Sequence, residues 1–267
     1  MQLIETIRKK KSFLCVGLDS DPKLLPAHLA GEKDAIFQFN KAIIDATAPY
    51  AIAYKPNTAF YEAEGAAGWE QLEATVAYIK KNYPECFVIA DAKRGDIGNT
   101  AQRYAKAFFE RMDCDAVTLA PYMGKDSIAP FLAYENKYAI VLALTSNPSA
   151  EELETQALAN GGQLYEQVIR QCLSYEGSER IMFVVGATRP EKLADIRQLA
   201  PESFFLVPGV GAQGGTVEEV AKYGLNKDCG LLVNSSRGII FASKGEDFAE
   251  AAGREARILA EKMAAYL

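Results

Sequence analysis

The sequence predicts a (β/α)8 barrel, on three observations. Eight short apolar runs alternate with longer helical stretches, the 267 residues suit one such domain, and polar residues recur just after the apolar runs. The runs are residues 13–18, 51–54, 87–90, 116–119, 138–144, 181–185, 204–207 and 230–233. They are continuously apolar rather than alternating, as strands buried on both faces of a parallel sheet must be. Helical patterns fill residues 35–48, 70–83, 100–112, 163–175, 191–200 and 217–223, and a last one at 248–266 closes the chain. A basic-ended amphipathic helix precedes the first strand. An open, doubly wound sheet is the alternative, because strand count alone does not show closure. No linker, low-complexity tract or break in composition divides the chain, so residues 1–267 read as a single domain.

The chain is 49% hydrophobic with a net charge of −6 and a pI of about 5.1, which gives no footing for a nucleic-acid surface. No stretch reaches the roughly 18 continuous apolar residues that a membrane span needs. The N-terminal segment lacks the apolar core of a signal peptide, so the expected location is cytoplasmic. Cys15, Cys86, Cys114, Cys172 and Cys229 are scattered among mostly apolar neighbours, without a C-x-x-C. They read as buried thiols rather than a disulfide or metal framework. His28 is the only histidine, which argues against Ser-His-Asp chemistry and against a histidine-based zinc site. Catalysis must therefore rest on lysine, aspartate, arginine and backbone groups.

In a barrel of this kind the functional residues stand at the carboxyl ends of the strands. There the sequence places Asp19 after the first run and Lys55 after the second. Asp91, Lys93 and Asp96 follow the third, Thr145 and Ser146 the fifth, and Thr188 and Arg189 the sixth. Any one of these could be a solvated turn; their recurrence at successive strand ends makes that reading poor. Asp91 and Lys93, two apart in a strand, are expected on the same side. After the seventh run, Pro208-Gly209-Val210-Gly211-Ala212-Gln213-Gly214-Gly215 exposes backbone N–H groups suited to an anion. After the eighth, Asn234-Ser235-Ser236-Arg237-Gly238 adds a guanidinium. Loops at these two positions are the usual phosphate site of such barrels. Neither a P-loop nor a strand-associated G-x-G-x-x-G is present, so no nucleoside triphosphate or dinucleotide cofactor is expected. Residues 146–162, opening on Asn-Pro-Ser and ending on Gly161-Gly162, suit a mobile active-site lid.

Several segments together resemble the orotidine 5′-phosphate decarboxylase family. They are Gly17-Leu18-Asp19, Lys55-Pro56-Asn57, the run from Asp91 to Thr100, Thr145-Ser146-Asn147-Pro148, Thr188-Arg189-Pro190 and Pro208 to Gly214. The Arg-Gly within the Asp91 element and the Thr-Ser-Asn-Pro loop are similar to the family's longer bacterial subtype. Ser149 stands where relatives often carry glycine. The resemblance implies a carbon–carbon lyase of pyrimidine biosynthesis that converts orotidine 5′-monophosphate to UMP and CO2 without metal or organic cofactor. It implies that Lys55, Asp91, Lys93 and Asp96 form an alternating charged network, with Lys93 as proton donor and Asp91 beside the departing carboxylate. Asp19 and Lys55 would bind ribose hydroxyls, Ser146 would read the pyrimidine edge, and Thr145 would be a further substrate-binding residue. Arg189, Gln213, Ser236, Arg237 and the backbone at Pro208, Gly209, Gly211 and Gly214 would complete the substrate and phosphate contacts. A homodimer is implied, with Asp96 and Thr100 reaching the adjacent subunit's site. The competing chemistries on the same scaffold are a metal-dependent sugar-phosphate enzyme and a Schiff-base aldolase. Carboxylates beside Lys93 disfavour the neutral amine the latter needs.

Overall fold

The computed structural model describes residues 2–159, 161–187, 190–210 and 215–267. Eight strands follow one another in sequence order around a closed barrel. They are β1 (Leu14–Leu18), β2 (Ala51–Pro56), β3 (Phe87–Arg94), β4 (Ala116–Leu119), β5 (Tyr138–Leu144), β6 (Ile181–Val185), β7 (Phe205–Pro208) and β8 (Leu231–Ser235). Closure removes the open-sheet alternative. The pairs β1–β2, β2–β3, β4–β5, β5–β6 and β6–β7 are all parallel. Every residue of β1, β2, β4, β6 and β8 is buried, as continuous apolar runs require. No helix among the described residues is long and apolar enough to cross a membrane.

The chain forms two compact units. One comprises Met1–Ala92, Met112–Cys114 and Asn234–Leu267; the other comprises Lys93–Arg111 and Asp115–Val233. In the first, the helix Gln2–Lys10 is tied down by its last residue: Lys10 Nζ donates to the carbonyls of Ala48 (2.8 Å) and Ala51 (3.0 Å) and pairs with Glu85 at 3.2 Å. The helix Ala35–Thr47 lays six side chains into the core, among them Phe39, which stacks on Phe241 and Phe248. Asn40 on the same helix is fully buried and hydrogen-bonded on every side. Its Oδ1 accepts from Ser20, its Nδ2 donates to Tyr61 and Thr75, and Tyr61 donates in turn to the Leu18 carbonyl. This network fixes the backbone on both sides of Asp19. All five cysteines are buried.

In the second unit, Arg197 plays the comparable part. It sits on the helix Pro190–Leu199 and donates to the carbonyls of Gly224 (2.8 Å), Ala200 (3.0 Å), Ser203 (2.6 Å) and Gly230 (2.9 Å). Its guanidinium lies 3.7 Å from the centre of the Phe205 ring. Burial lowers its pKa to about 10, and the planar five-donor fork satisfies carbonyls at the starts of two strands. Lysine has three donors on a flexible stem and cannot reproduce this. Arg197→Lys is therefore expected to cost about 2 kcal/mol or more, read as a lowered urea midpoint, against a negligible change for Arg254→Lys on the exposed face.

Candidate active site

The apolar wall of the barrel gives way to charge near the ends of β1, β2 and β3. Lys55, the fifth residue of β2, is 4% exposed, and Asp91, the fifth of β3, is 8% exposed. Lys55 Nζ donates to Asp91 Oδ2 at 2.7 Å and lies 3.8 Å from Asp19 Oδ1. Burial by itself would lower the pKa of the Lys55 ammonium. The Asp91 and Asp19 carboxylates and the hydrogen bond to Asp91 outweigh it, and the net direction is upward. Lys55 thus stays a cation at any pH the protein meets. Cys15, beneath this cluster in β1, has its thiol pushed up to about 12, chiefly by burial, and is no nucleophile. An isolated bridge between Asn57 and Asp91 continues the β2–β3 pairing, and the Asn57 side chain caps the helix Thr58–Glu62.

The loop after β8 closes against β1 within the same unit. Ser236 Oγ donates to the Gly17 carbonyl at 3.2 Å, and a Cβ at Gly17 would lie 2.7 Å from the Ser236 Cβ. Glycine in Gly17-Leu18-Asp19 is therefore a packing requirement set by this loop. Arg237 is exposed at the start of the short helix Arg237–Ile240. Asn234, in β8, is a side chain that the sequence offered only as part of a backbone donor segment. Its Oδ1 is buried and accepts no hydrogen bond, so it stands ready to take one.

The second unit carries Lys93 to Thr100. Here the expected shared side of Asp91 and Lys93 does not follow from the pleat: Lys93 has φ +47°, left-handed backbone inside a strand. Asp91 is buried while Lys93 is exposed, and the Lys93 N–H donates to Thr118 Oγ1 on β4 at 2.9 Å. The next carbonyl, Arg94, accepts from Ala120 at 2.7 Å, and Gly95 packs against Ala120. The chain thus turns away from the ladder at the lysine. Asp96 is half-buried, with Oδ1 accepting from the Ile97 N–H at 2.8 Å; Thr100 is exposed on the helix Gly98–Lys106.

At the end of β5, Thr145 and Ser146 are half-buried. The Thr145 hydroxyl lies 2.8 Å from Glu154 Oε1 and 2.6 Å from Asn147 Oδ1, so its polar capacity is directed into residues 146–162. The predicted lid is itself structured: the helix Ala150–Leu153 is followed by a bridge between Ala157 and Gln163. Ser149, at φ −69°, ψ −1°, sits in right-handed backbone that serine adopts freely, so glycine is not required there. Pro208 ends β7, its carbonyl accepting from Ala187 at 3.1 Å, and Gly209 takes φ +97°. Val210 and Gly215 form a bridge. The expected site residues Arg189, Gly211, Gln213 and Gly214, with Thr188, lie outside the described residues.

Two stability outcomes follow from this geometry. Lys55→Ala removes the ammonium from buried Asp91 and half-buried Asp19 and is expected to lower stability by about 3 kcal/mol. Both truncations at Lys93 remove the same side chain and differ only in how they bear φ +47°, so Lys93→Gly should be more stable than Lys93→Ala by about 1 kcal/mol. Paired denaturant titrations of the three variants check both; equal midpoints for the two Lys93 variants would contradict the strain.

A profile of the Orotidine 5′-phosphate decarboxylase / HUMPS family matches residues 12–252. The chain is 59% identical to the orotidine 5′-phosphate decarboxylase of Phocaeicola vulgatus over 98% of this chain and 96% of that protein. It is equally 59% identical to the Flavobacterium johnsoniae enzyme of the same name, with the same coverage. Among solved structures, the Leishmania donovani OMP decarboxylase superposes with a TM-score of 0.80 at 35% identity, covering 98% of this chain and 100% of that one. With the profile spanning most of the sequence and relatives of this identity matched almost end to end, the chain belongs to the Orotidine 5′-phosphate decarboxylase / HUMPS family.

Proposed function

We propose that the chain decarboxylates orotidine 5′-monophosphate to UMP and CO2, with Lys93 as the proton donor. The observation that carries this reading is the buried Lys55–Asp91 pair at 2.7 Å, with Lys93 two residues beyond Asp91 on the same strand. Loss of CO2 breaks a carbon–carbon bond and leaves its electron pair on the pyrimidine carbon. The centre that develops is anionic, and a preorganised cation stabilises it better than water does. Lys93 supplies that cation and then its proton, leaving a neutral amine that solvent reprotonates. Asp91, held by Lys55, stands as a fixed negative charge beside the substrate carboxylate, whose departure relieves the repulsion. Asp19 and Lys55 bind ribose hydroxyls, Ser146 reads the base, and Ser236, Arg237 and the backbone of residues 208–214 hold the phosphate. Binding energy from phosphate and ribose, remote from the reacting carbon, holds the base against this charge. The mechanism calls on no metal or organic cofactor.

The reading extends to assembly and place. The enzyme acts as one domain spanning residues 1–267, in the cytoplasm, as a homodimer in which Asp96 and Thr100 serve the adjacent subunit. Exposed large apolar side chains support a subunit contact: Ile97, next to Asp96 in sequence, at 45%, and, in the loop after β4, Met123 at 47% and Tyr122 at 85%.

A spectrophotometric assay with orotidine 5′-monophosphate tests the chemistry: turnover should persist in EDTA, and chelator-sensitive activity would favour the metal-dependent sugar-phosphate reading. Lys93→Ala should still bind UMP while kcat falls by at least about 10^3-fold. Shared sites make a second outcome testable. Mixing inactive Lys93→Ala and Asp96→Ala chains should restore about a quarter of wild-type activity, since half the dimers are mixed and each holds one intact site. No recovery after subunit exchange would place Asp96 in its own subunit's site.

A further inference from the structure

Glu154, which none of the roles above uses, lies within residues 146–162 and is hydrogen-bonded to Thr145, the residue that follows β5. It follows the helix Ala150–Leu153 and is half-buried. Its two carboxylate oxygens each take a hydrogen bond from one residue: Oε2 from the Thr145 N–H at 2.7 Å and Oε1 from the Thr145 hydroxyl at 2.8 Å. Its own carbonyl accepts from the N–H of Tyr165, in the first turn of the helix Leu164–Leu173, at 2.9 Å. A hydroxyl has one proton, and Asn147 Oδ1 lies 2.6 Å from the same oxygen. All three groups are satisfied when the Asn147 amide is turned so that its NH2 donates to Thr145 and the Thr145 O–H goes to Glu154.

The sheet explains why such an acceptor is needed. The β5–β6 ladder shifts register between Leu142 and Leu144, and its last pair is Leu144 with Val185. The Thr145 N–H lies beyond that pair, and Glu154 supplies the oxygen the ladder does not. Holding the N–H and the side chain of one residue together fixes its backbone and its χ1 at once, and with them the direction in which the chain enters Ser146. From the other side Ser146 rests on Gly186, where a Cβ would come within 2.9 Å of the Ser146 N, Cα and Cβ. Ser146 is thus held between a two-point clamp and a glycine seat.

We propose that Glu154 is a positioning residue for pyrimidine recognition: through Thr145 it sets the orientation of Ser146 and joins the folding of residues 150–165 to the reading of the base. The inference rests on the functional reading above, in which Ser146 contacts the pyrimidine. It separates base recognition from phosphate and ribose recognition, which a loop staple with only a structural role would not do.

The test compares UMP with ribose 5-phosphate, a ligand lacking the base, by calorimetry on the full chain, alongside the kinetics of orotidine 5′-monophosphate. In Glu154→Ala, UMP binding is expected to weaken about tenfold or more and KM to rise in parallel, with ribose 5-phosphate held within about twofold. Glu154→Gln should recover most of the loss. Its amide oxygen can still accept the N–H, and its NH2 can donate to Thr145 Oγ1. Thr145→Val, which keeps the N–H bond and removes the other, should fall between and serves if Glu154→Ala does not fold. Equal loss of both ligands, or unchanged UMP binding, would overturn the proposal. If the wild type fails to turn over orotidine 5′-monophosphate, the functional reading falls and this inference with it. Wild-type turnover with no selective loss in the variants sinks the inference alone.

Discussion

An ammonium group held 2.7 Å from a carboxylate inside a wall of apolar strands is the constraint around which the first unit is organised. Neither ion is tolerable there alone: an unpaired buried charge costs several kcal/mol, and removing one partner leaves the other exposed to that penalty. The strand ends must therefore be held in register well enough to keep Lys55, Asp91 and Asp19 within reach of one another. The β1–β2 register, the Asn57–Asp91 bridge and the buried network from Ser20 through Asn40 and Tyr61 to the Leu18 carbonyl all serve that end. Packing alone would accept a leucine at any of these positions; the charge cluster is what makes their polar atoms necessary.

Lys93 meets a different requirement. A left-handed lysine in a strand is strained, and strain persists where surrounding contacts over-determine the backbone. Those contacts are visible: Thr118 takes the Lys93 N–H, and the Arg94 carbonyl takes the Ala120 N–H. They draw the chain off the ladder just where the reading above needs an exposed ammonium. Stability would place another residue here, which is the usual mark of a position shaped by chemistry.

Much of this was legible in the sequence, and the failures have physical causes. The runs 116–119, 138–144 and 181–185 coincide with β4, β5 and β6, because a strand buried on both faces leaves an unbroken apolar signature. The run 87–90 ends four residues short of β3, since the strand continues through Asp91 and Lys93, whose polarity disguises it. No helix was expected between the fourth and fifth strands, where a 3-10 turn at Gly124–Ser127 and the four-residue α-helix Ala129–Leu132 are each too short for a periodic pattern. The site residues were readable as charges at strand ends. What could not be read was how they are supported: an i,i+2 rule presumes extended backbone, so φ +47° at Lys93 is invisible to it. Asn40 and Glu154 sit in helical or loop contexts where a polar residue is ordinarily solvated, and only contacts distant in sequence or across a loop reveal their use.

The burial of the five cysteines has a consequence of a practical kind. Each thiol is shielded, and those of Cys15, Cys172 and Cys229 are pushed up to about 12 by burial, so the thiolate that alkylating and oxidising reagents attack is scarce. These thiols accordingly offer a quiet background for site-directed chemistry. A single cysteine introduced at exposed Ser149 would be the preferred target for a fluorophore or spin label. The environment of residue 149 could then be followed during turnover without first stripping the natural thiols from the core.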